Sequence, residues 1–223
     1  MKHADYCASY LNPGAEVLDI GAGRGTFLKE MAKRGFRVSG IEVNPVYIEE
    51  IKNLAEQNGI SFDLRAAKAE ELPYPDGQFD FVNASEVTEH VEDPLLMSKE
   101  LYRVLKTGGS AYISFHNRWG AYDYHYHMYG INWMPRSWTE PVLDFLHRQK
   151  EDGIAGRQKL ITMHYVTYSE AERILQQAGF YVFQDIREMK IKKKFGFWFF
   201  PFFLLYRCFR PWYFNSFHIL LKK

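Results

Sequence analysis

The feature that most constrains this chain is a short apolar stretch followed by three alternating glycines, Val17-Leu-Asp-Ile-Gly-Ala-Gly-Arg-Gly-Thr-Phe27. Val17 to Ile20 reads as a buried strand whose single charged member is Asp19. Gly21, Ala22, Gly23 and Gly25 then form a turn, and Phe27-Leu-Lys-Glu-Met31 takes up helical spacing. Strand, glycine turn and helix together let a backbone approach a ligand closely at a helix N-terminus. The dinucleotide fingerprint G-x-G-x-x-G is absent, because Thr26 stands where its third glycine belongs. That disfavours a dehydrogenase.

Glu42 closes a second apolar strand, Phe36-Arg-Val-Ser-Gly-Ile-Glu42. An acid there, on the strand beside the glycine turn, can accept hydrogen bonds from both hydroxyls of a ribose. Further on come Ala69-Glu-Glu-Leu-Pro-Tyr-Pro-Asp-Gly-Gln-Phe-Asp-Phe-Val-Asn-Ala-Ser-Glu-Val-Thr-Glu-His-Val91 and Glu100-Leu-Tyr-Arg-Val-Leu-Lys-Thr-Gly-Gly109. The second runs into an apolar strand, Ser110-Ala-Tyr-Ile-Ser-Phe115. With these segments in this order, residues 15–115 resemble the class I S-adenosylmethionine-dependent methyltransferases, in particular the broad small-molecule type 11-like group. Thr107 stands where that group's "RVLKPGG" pattern has proline.

Strands and helices alternate along the chain: strand 16–20, helix 26–34, strand 36–42, helix 45–57, strands 61–66 and 79–84, helix 93–105, strand 109–115. Pro45 after Asn44 suits a capped helix start, and Gly35 and Gly59 suit helix ends. Such alternation argues an α/β fold with a doubly wound, Rossmann-like parallel sheet, helices on both faces and ligands at the carboxyl ends of the strands. The resemblance implies seven strands with the last antiparallel. The sixth is expected within Ala178–Asp185 and the seventh between Trp212 and Leu221. A single domain is expected over 1–223: a cofactor-binding core at 14–115, a substrate cap at 116–166, and a C-terminal part at 167–223 that carries an aromatic insertion before the last strand.

The resemblance implies S-adenosylmethionine as cofactor and a set of residues to hold it. The turn Gly21, Ala22, Gly23 and Gly25 cradles its methionine part, and Asp19 supports the turn or reaches the amino group. Glu42 takes the ribose, with Val43 beside it among the cofactor contacts. Ala69 and Glu70 border the adenine. Here the chain departs from the pattern, since Lys68 replaces an acid often found before that alanine, and an ammonium cannot accept from the adenine amino group. Either Glu70 or the backbone takes that role. Asn83 and Ser85, ending the fourth strand, face the transferred methyl. Replacing Gly23 with a bulky residue, or Glu42 with Ala, is expected to cut cofactor affinity and leave the fold largely intact.

Catalytic candidates are His116, directly after strand five, and His90, which can act as a base or simply pack at a helix start. The cap segment His116-Asn-Arg-Trp-Gly-Ala-Tyr-Asp-Tyr-His-Tyr-His127 adds Arg118, Tyr122, His125 and His127 as substrate contacts, and His164 follows further along. Arg118 and Arg136 can bind an anionic group or lie solvated. On a strand, His125 and His127 would share a face with Asp123 in register, a spacing open to metal binding, but an aromatic-polar cap surface is the preferred reading and no metal is assigned.

The chain has 28 Lys and Arg against 27 Asp and Glu, a balance without the basic excess of a nucleic-acid binder. Nor does Asn83-Ala-Ser-Glu86 resemble the proline-rich tetrapeptide of nucleic-acid methylases. Met1–Tyr6 has no apolar core of a secretory signal, and Cys7 and Cys208 are expected as free thiols in a reducing cytoplasm. Aromatics make up 17 % of the chain and crowd into Phe195-Gly-Phe-Trp-Phe-Phe-Pro-Phe-Phe-Leu-Leu-Tyr206, preceded by Lys190-Ile-Lys-Lys-Lys194. That run is too short to span a bilayer and is interrupted by Pro201. It suits a peripheral membrane contact through 190–212, or a lid or homodimer face. The expected activity is methyl transfer to an oxygen of a small or lipid-linked acceptor, such as a glycan, glycolipid or quinone-type intermediate. The alternatives are an N-methyltransferase of a small amine and a non-catalytic, methyltransferase-like binding protein.

Overall fold

A computed structural model describes residues 3–148 and 159–223. The elements of the N-terminal half are α1 (His3–Ala8), β1 (Glu16–Ile20), α2 (Thr26–Ala32), β2 (Arg37–Glu42), α3 (Pro45–Asn58), β3 (Asp63–Ala66), β4 (Phe79–Ala84), α4 (Pro94–Val104) and β5 (Leu105–His116). A two-stranded hairpin, β6 (Tyr122–Asp123) and β7 (Met128–Tyr129), and α5 (Arg136–Phe145) follow. The rest comprises α6 (Tyr168–Gln177), β8 (Val182–Asp185), α7 (Ile186–Phe195), α8 (Phe199–Phe209) and β9 (Ser216–Lys222). Part of the expected cap, residues 149–158, lies outside the described residues.

The main sheet has seven strands in the order β3-β2-β1-β4-β5-β9-β8. All run parallel except β9, which is antiparallel to both β5 and β8. This is the doubly wound α/β sheet expected, with the strand order reversing between β1 and β4 and leaving a crevice at their carboxyl ends. Because both of their faces are covered, the inner strands β2, β1, β4, β5 and β9 are buried nearly throughout and do not alternate, whereas the edge strands β3 and β8 are largely exposed. Leu18, Ile20, Phe79, Val82 and Ile113 pack under Met97 and Leu101 of α4 and Ala171 and Leu175 of α6. Val17, Phe81 and Tyr112 face the other way, toward Ala4, Leu28, Ile51 and Ile186. Tyr126, Ile131, Leu143, Leu160, Met163 and Tyr165 form a smaller core within the cap.

Helix starts follow local chemistry. Asn44 Oδ1 accepts from Val46 N, and Asp93 Oδ1 accepts from Leu95 N and Leu96 N. Thr167 and Glu170 form a reciprocal capping box on α6. Three differences from the sequence reading have physical causes. The fifth strand begins at Leu105, not at 109, because the chain leaves α4 directly into pairing with Phe79 and a register shift between Phe79 and Phe81 absorbs Gly108, with φ +80°. The insertion at 190–211 is helical. Pro201 does not break α8, since it stands in the first turn, where no backbone N–H is needed. Among the described residues no helix is long and apolar enough to cross a membrane.

Cys7 is buried on α1 and Cys208 is exposed on α8; both are free thiols. One buried side chain ties the cap base to the C-terminal part. Asn117, directly after β5, donates through Nδ2 to the carbonyls of Arg210, Pro211 and Phe214, and its Oδ1 accepts from Trp119 N. Asn117→Ala is therefore expected to cost about 2–3 kcal/mol, because truncation leaves buried carbonyls unpaired. Chemical denaturation measures the loss, and hydrogen exchange should show it concentrated at 210–217.

Candidate active site at the carboxyl ends of the strands

The glycine turn after β1 is built on left-handed backbone, with φ of +67° at Gly21 and +53° at Gly23. A Cβ on Gly21 would lie 2.6 Å from Val87 Cγ2, so the turn is packed on that side. A Cβ on Gly23 would meet nothing within 4 Å, so the turn is open on the other. Glu42, at the end of β2, is nearly buried and crosses to this turn. Its Oε2 accepts from Gly23 N at 2.8 Å, and its Oε1 accepts from Val43 N and Asn44 N at 2.8 and 2.9 Å. Val43 itself is 63 % exposed beside the open turn. The carboxylate thus builds the cradle as well as facing it. Glu42→Ala would loosen the turn, which amends the expectation that the fold would be left largely intact.

Asp19 is buried at the end of β1. Burial pushes its carboxyl up to about 7, against the hydrogen bond from Asn83 Nδ2 at 2.7 Å and with the Glu42 charge adding to the rise. Asn83 Oδ1 in turn meets His3 Nε2 at 2.9 Å. Burial lowers the His3 pKa. The His3 ring sits 4.3 Å from that of Tyr112, so α1 closes over this end of the sheet. Ser85 follows β4 directly and is half-buried. Ala69 is buried, and Glu70 Oε1 accepts from Glu92 N at 2.6 Å, holding the loop ahead of α4. Lys68 pairs with Glu92. The bond from Glu92 N engages one of the two Glu70 oxygens in holding the loop.

Past β4 the structure gathers a second cluster. Glu86, half-exposed with φ +56°, accepts from Ser114 Oγ at 3.1 Å and lies 2.7 Å from His116 Nε2. Glu89 is wholly buried, with Oε1 3.2 Å from His116 Nε2, 3.5 Å from His90 Nε2 and 3.8 Å from His125 Nε2. Tyr165 Oη meets His125 Nδ1 at 2.8 Å. Burial alone would lower the His116 pKa, but the Glu89 and Glu86 carboxylates outweigh it and hold the ring up to about 10. Reciprocally, His116 draws Glu86 down to about 2 against burial, and Glu89 is also lowered. The ligand atoms of Glu86, Glu89 and His116 lie within 4.8 Å of one another, as do those of Glu89, His90 and His125, and either set could hold a divalent cation.

His116, His90 and His125 are thus brought together, whereas other expected contacts are not. His125 and His127 do not share a strand face, because they stand in the turn of the β6–β7 hairpin. Asp123 Oδ1 is taken up by the backbone N–H groups of His125 and Tyr126, so the Asp123, His125, His127 trio does not assemble. His127 is exposed, 3.2 Å from the Tyr122 hydroxyl on the outer side of the hairpin. Arg118 donates to the carbonyls of Asn132 and Met134, which makes it a brace of the cap. His164 is half-buried, its N–H bound to the Glu89 carbonyl. Glu86 and Glu89 were missed as site residues. Their spacing with His90, Glu-x-x-Glu-His directly after a strand, was the available signal.

Residues 18–113 match the family model described as a methyltransferase domain. A ubiquinone biosynthesis O-methyltransferase of Pseudomonas aeruginosa is 37% identical over 108 residues, covering 47% of this chain and 46% of its own. The chain therefore spans about half the length of the curated relatives it matches. A SAM-dependent methyltransferase from Methanosarcina mazei superposes with a TM-score of 0.63 at 20% identity, covering 100% of this chain and 98% of the other. The YcgJ protein from Bacillus subtilis gives 0.63 at 18%, covering 99% and 98%. At these identities the structural matches establish the fold.

The two glycines separate packing from binding. Gly23→Ala is expected to cost only the left-handed backbone penalty, about 1–2 kcal/mol, while its methyl narrows the open cradle and weakens cofactor binding. Gly21→Ala adds the Val87 clash and should lose more stability. Thermal melts and cofactor titration of the two variants check the contrast.

Proposed function

We propose that this chain, whose residues 18–113 match a methyltransferase domain, is a class I S-adenosylmethionine-dependent methyltransferase that transfers the methyl group to a hydroxyl oxygen of a small or lipid-linked acceptor. The observation that carries the reading is the carboxylate pair Glu86 and Glu89 around His116, set at the β4 and β5 ends next to the open glycine turn. The residues present fit the cofactor. The turn is open above Gly23, Glu42 stands where ribose hydroxyls can reach its carboxylate, Val43 offers an exposed apolar surface, and Asp19 can meet an ammonium. Asn83 and Ser85 border the position of the methyl. Bound there, S-adenosylmethionine supplies a methyl on a sulfonium whose thioether is a good leaving group.

The chain's own work is positioning and proton handling. As the new C–O bond forms and the C–S bond breaks, the acceptor hydroxyl must release its proton. Glu86, half-exposed and held by Ser114 and His116, takes the hydrogen bond of that hydroxyl, and because His116 draws its carboxyl down to about 2 it accepts the proton only as the forming C–O bond makes the oxygen strongly acidic. His116, kept cationic between two carboxylates, is a positioning residue for Glu86 and not the base that its sequence position suggested. His90, with a third of its side chain exposed, and His125 border the acceptor. The Pseudomonas aeruginosa relative's name, a ubiquinone biosynthesis O-methyltransferase, favours oxygen over nitrogen and makes a quinone-type phenol the first acceptor to try, ahead of a glycan or glycolipid. An amine acceptor, or a protein that binds and transfers nothing, is the alternative. The reading places the reaction in the cytoplasm.

A second reading has its own observation, the clustered ligand atoms of Glu86, Glu89 and His116. A divalent cation there would lower the pKa of the acceptor hydroxyl directly. Chelation separates the two. An unchanged rate assigns proton removal to the carboxylate, and a loss restored by added Mg²⁺ or Zn²⁺ assigns it to the cation.

Glu86→Gln is expected to lower kcat by on the order of 10²–10⁴-fold, with S-adenosylmethionine affinity unchanged, in single-turnover assays on a catechol-type acceptor. Full activity in that variant would contradict the assignment. Asp19 gives a pH test. Free, it is largely protonated below about 7, and it must ionise to pair with the cofactor ammonium. Affinity should therefore rise with pH up to about 7, at most tenfold per unit, and level off above. Asp19→Asn should remove that slope in calorimetric titrations.

A further inference from the structure

The α7–α8 hairpin has no part in the site just described, yet it carries a dense run of exposed apolar side chains. Phe197 is 92 % exposed and Trp198 72 %, and Phe200, Leu204, Leu205 and Phe209 are about half-exposed. Within α8 only Tyr206 is buried. The base of the hairpin is fixed: Tyr206 donates to Asp185 Oδ2 at 2.6 Å, and Arg210 reaches Asp185 and Glu188 while lying 3.3 Å over the Tyr168 ring. A firmly anchored base holding out a bare aromatic tip is an arrangement that folding alone does not require.

Charge decides what the tip faces. From Met189 to Lys223 the chain has eight Lys and Arg and not one Asp or Glu. Lys192, Lys193 and Lys194 form the last turn of α7, directly beside Phe197 and Trp198. A second copy would bring the same positive charge to the contact and be repelled. An anionic lipid surface would be attracted, and the rings suit the boundary between headgroups and acyl chains. We propose that the α7–α8 hairpin docks this protein on the surface of a bilayer containing anionic lipid, with Phe197 and Trp198 inserted and Lys192, Lys193 and Lys194 at the headgroups.

Topology aims this contact at the site. The hairpin leaves the carboxyl end of β8 and returns to the start of β9, where Ser216 pairs with His116. Trp212 packs on Trp119 at 5.9 Å, and the Trp119 carbonyl accepts from Trp133 Nε1 at 2.7 Å. Trp212 and Trp133 are both more than half exposed. An aromatic path thus runs from the hairpin onto the base of the cap, three residues after His116. The docking does not depend on which acceptor is methylated.

The test is sedimentation of the full chain with vesicles of phosphatidylcholine alone or mixed with phosphatidylglycerol. Binding to the mixed vesicles alone, weakened by salt, is expected. At roughly fivefold per lysine, the variant Lys192→Gln/Lys193→Gln/Lys194→Gln should bind on the order of a hundredfold more weakly. Phe197→Ser/Trp198→Ser should not sediment. Both variants should keep the wild-type affinity for S-adenosylmethionine, which shows that they fold, and the wild-type comparison stands even if they do not. A wild-type chain that ignores both vesicles, or binds both equally, overturns the proposal. So does a wild-type dimer that Phe197→Ser/Trp198→Ser converts to monomer, since the face would then belong to a second copy.

Discussion

The cradle of this protein depends on one buried carboxylate. Glu42 stands at the end of β2 yet bonds backbone on both sides of the crevice, Gly23 after β1 and Val43 and Asn44 before α3. Three N–H groups that would otherwise be orphaned at two adjacent turns converge on it. The turns are therefore positioned relative to each other by hydrogen bonds, while the glycines remove the side chains that would fill the space between them. Everything proposed for cofactor binding follows from that pairing. Asp19 gives depth below it and Val43 an apolar wall beside it.

The second cluster has a different physics. Two carboxylates this near each other repel, and the positive charge that His116 carries between them offsets that repulsion. A cation at that point, whether imidazolium or metal, is thus a structural requirement before it is a catalytic one. What remains for chemistry is Glu86, the half-exposed member. Its left-handed backbone directly after β4 turns its carboxylate toward His116 and Ser114, a conformation maintained by the Ser114 contacts on both its side chain and its N–H.

Much of this could be read from the chain. The strand–glycine–helix stretch at 17–31, the acid at 42 and the order of the strands all depend on contacts close in sequence or on periodicity, and they stand where expected. The cluster at Glu86, Glu89, His116 and His125 could not, because its members meet only when the ends of β4, β5 and the β6–β7 hairpin are brought to one place. His125 and His127 misled for a related reason. Their spacing has meaning on a strand, but Asp123 caps a turn there, which sends His127 outward. Arg118 looked like an anion ligand because a sequence does not reveal the carbonyls of Asn132 and Met134 that take up its donors. Pro201 looked like a break because its place in the first turn of the helix was not visible.

The central claim is methyl transfer to an oxygen on a molecule reachable from this edge of the sheet. It is tested most directly by incubating the full chain with methyl-labelled S-adenosylmethionine and a membrane-containing cell extract, then separating organic, aqueous and protein fractions. The account predicts label in the organic fraction, in a product whose methyl resists mild base as an ether does. Cofactor binding with no label in any fraction would contradict it, and leave a protein that holds the cofactor and transfers nothing.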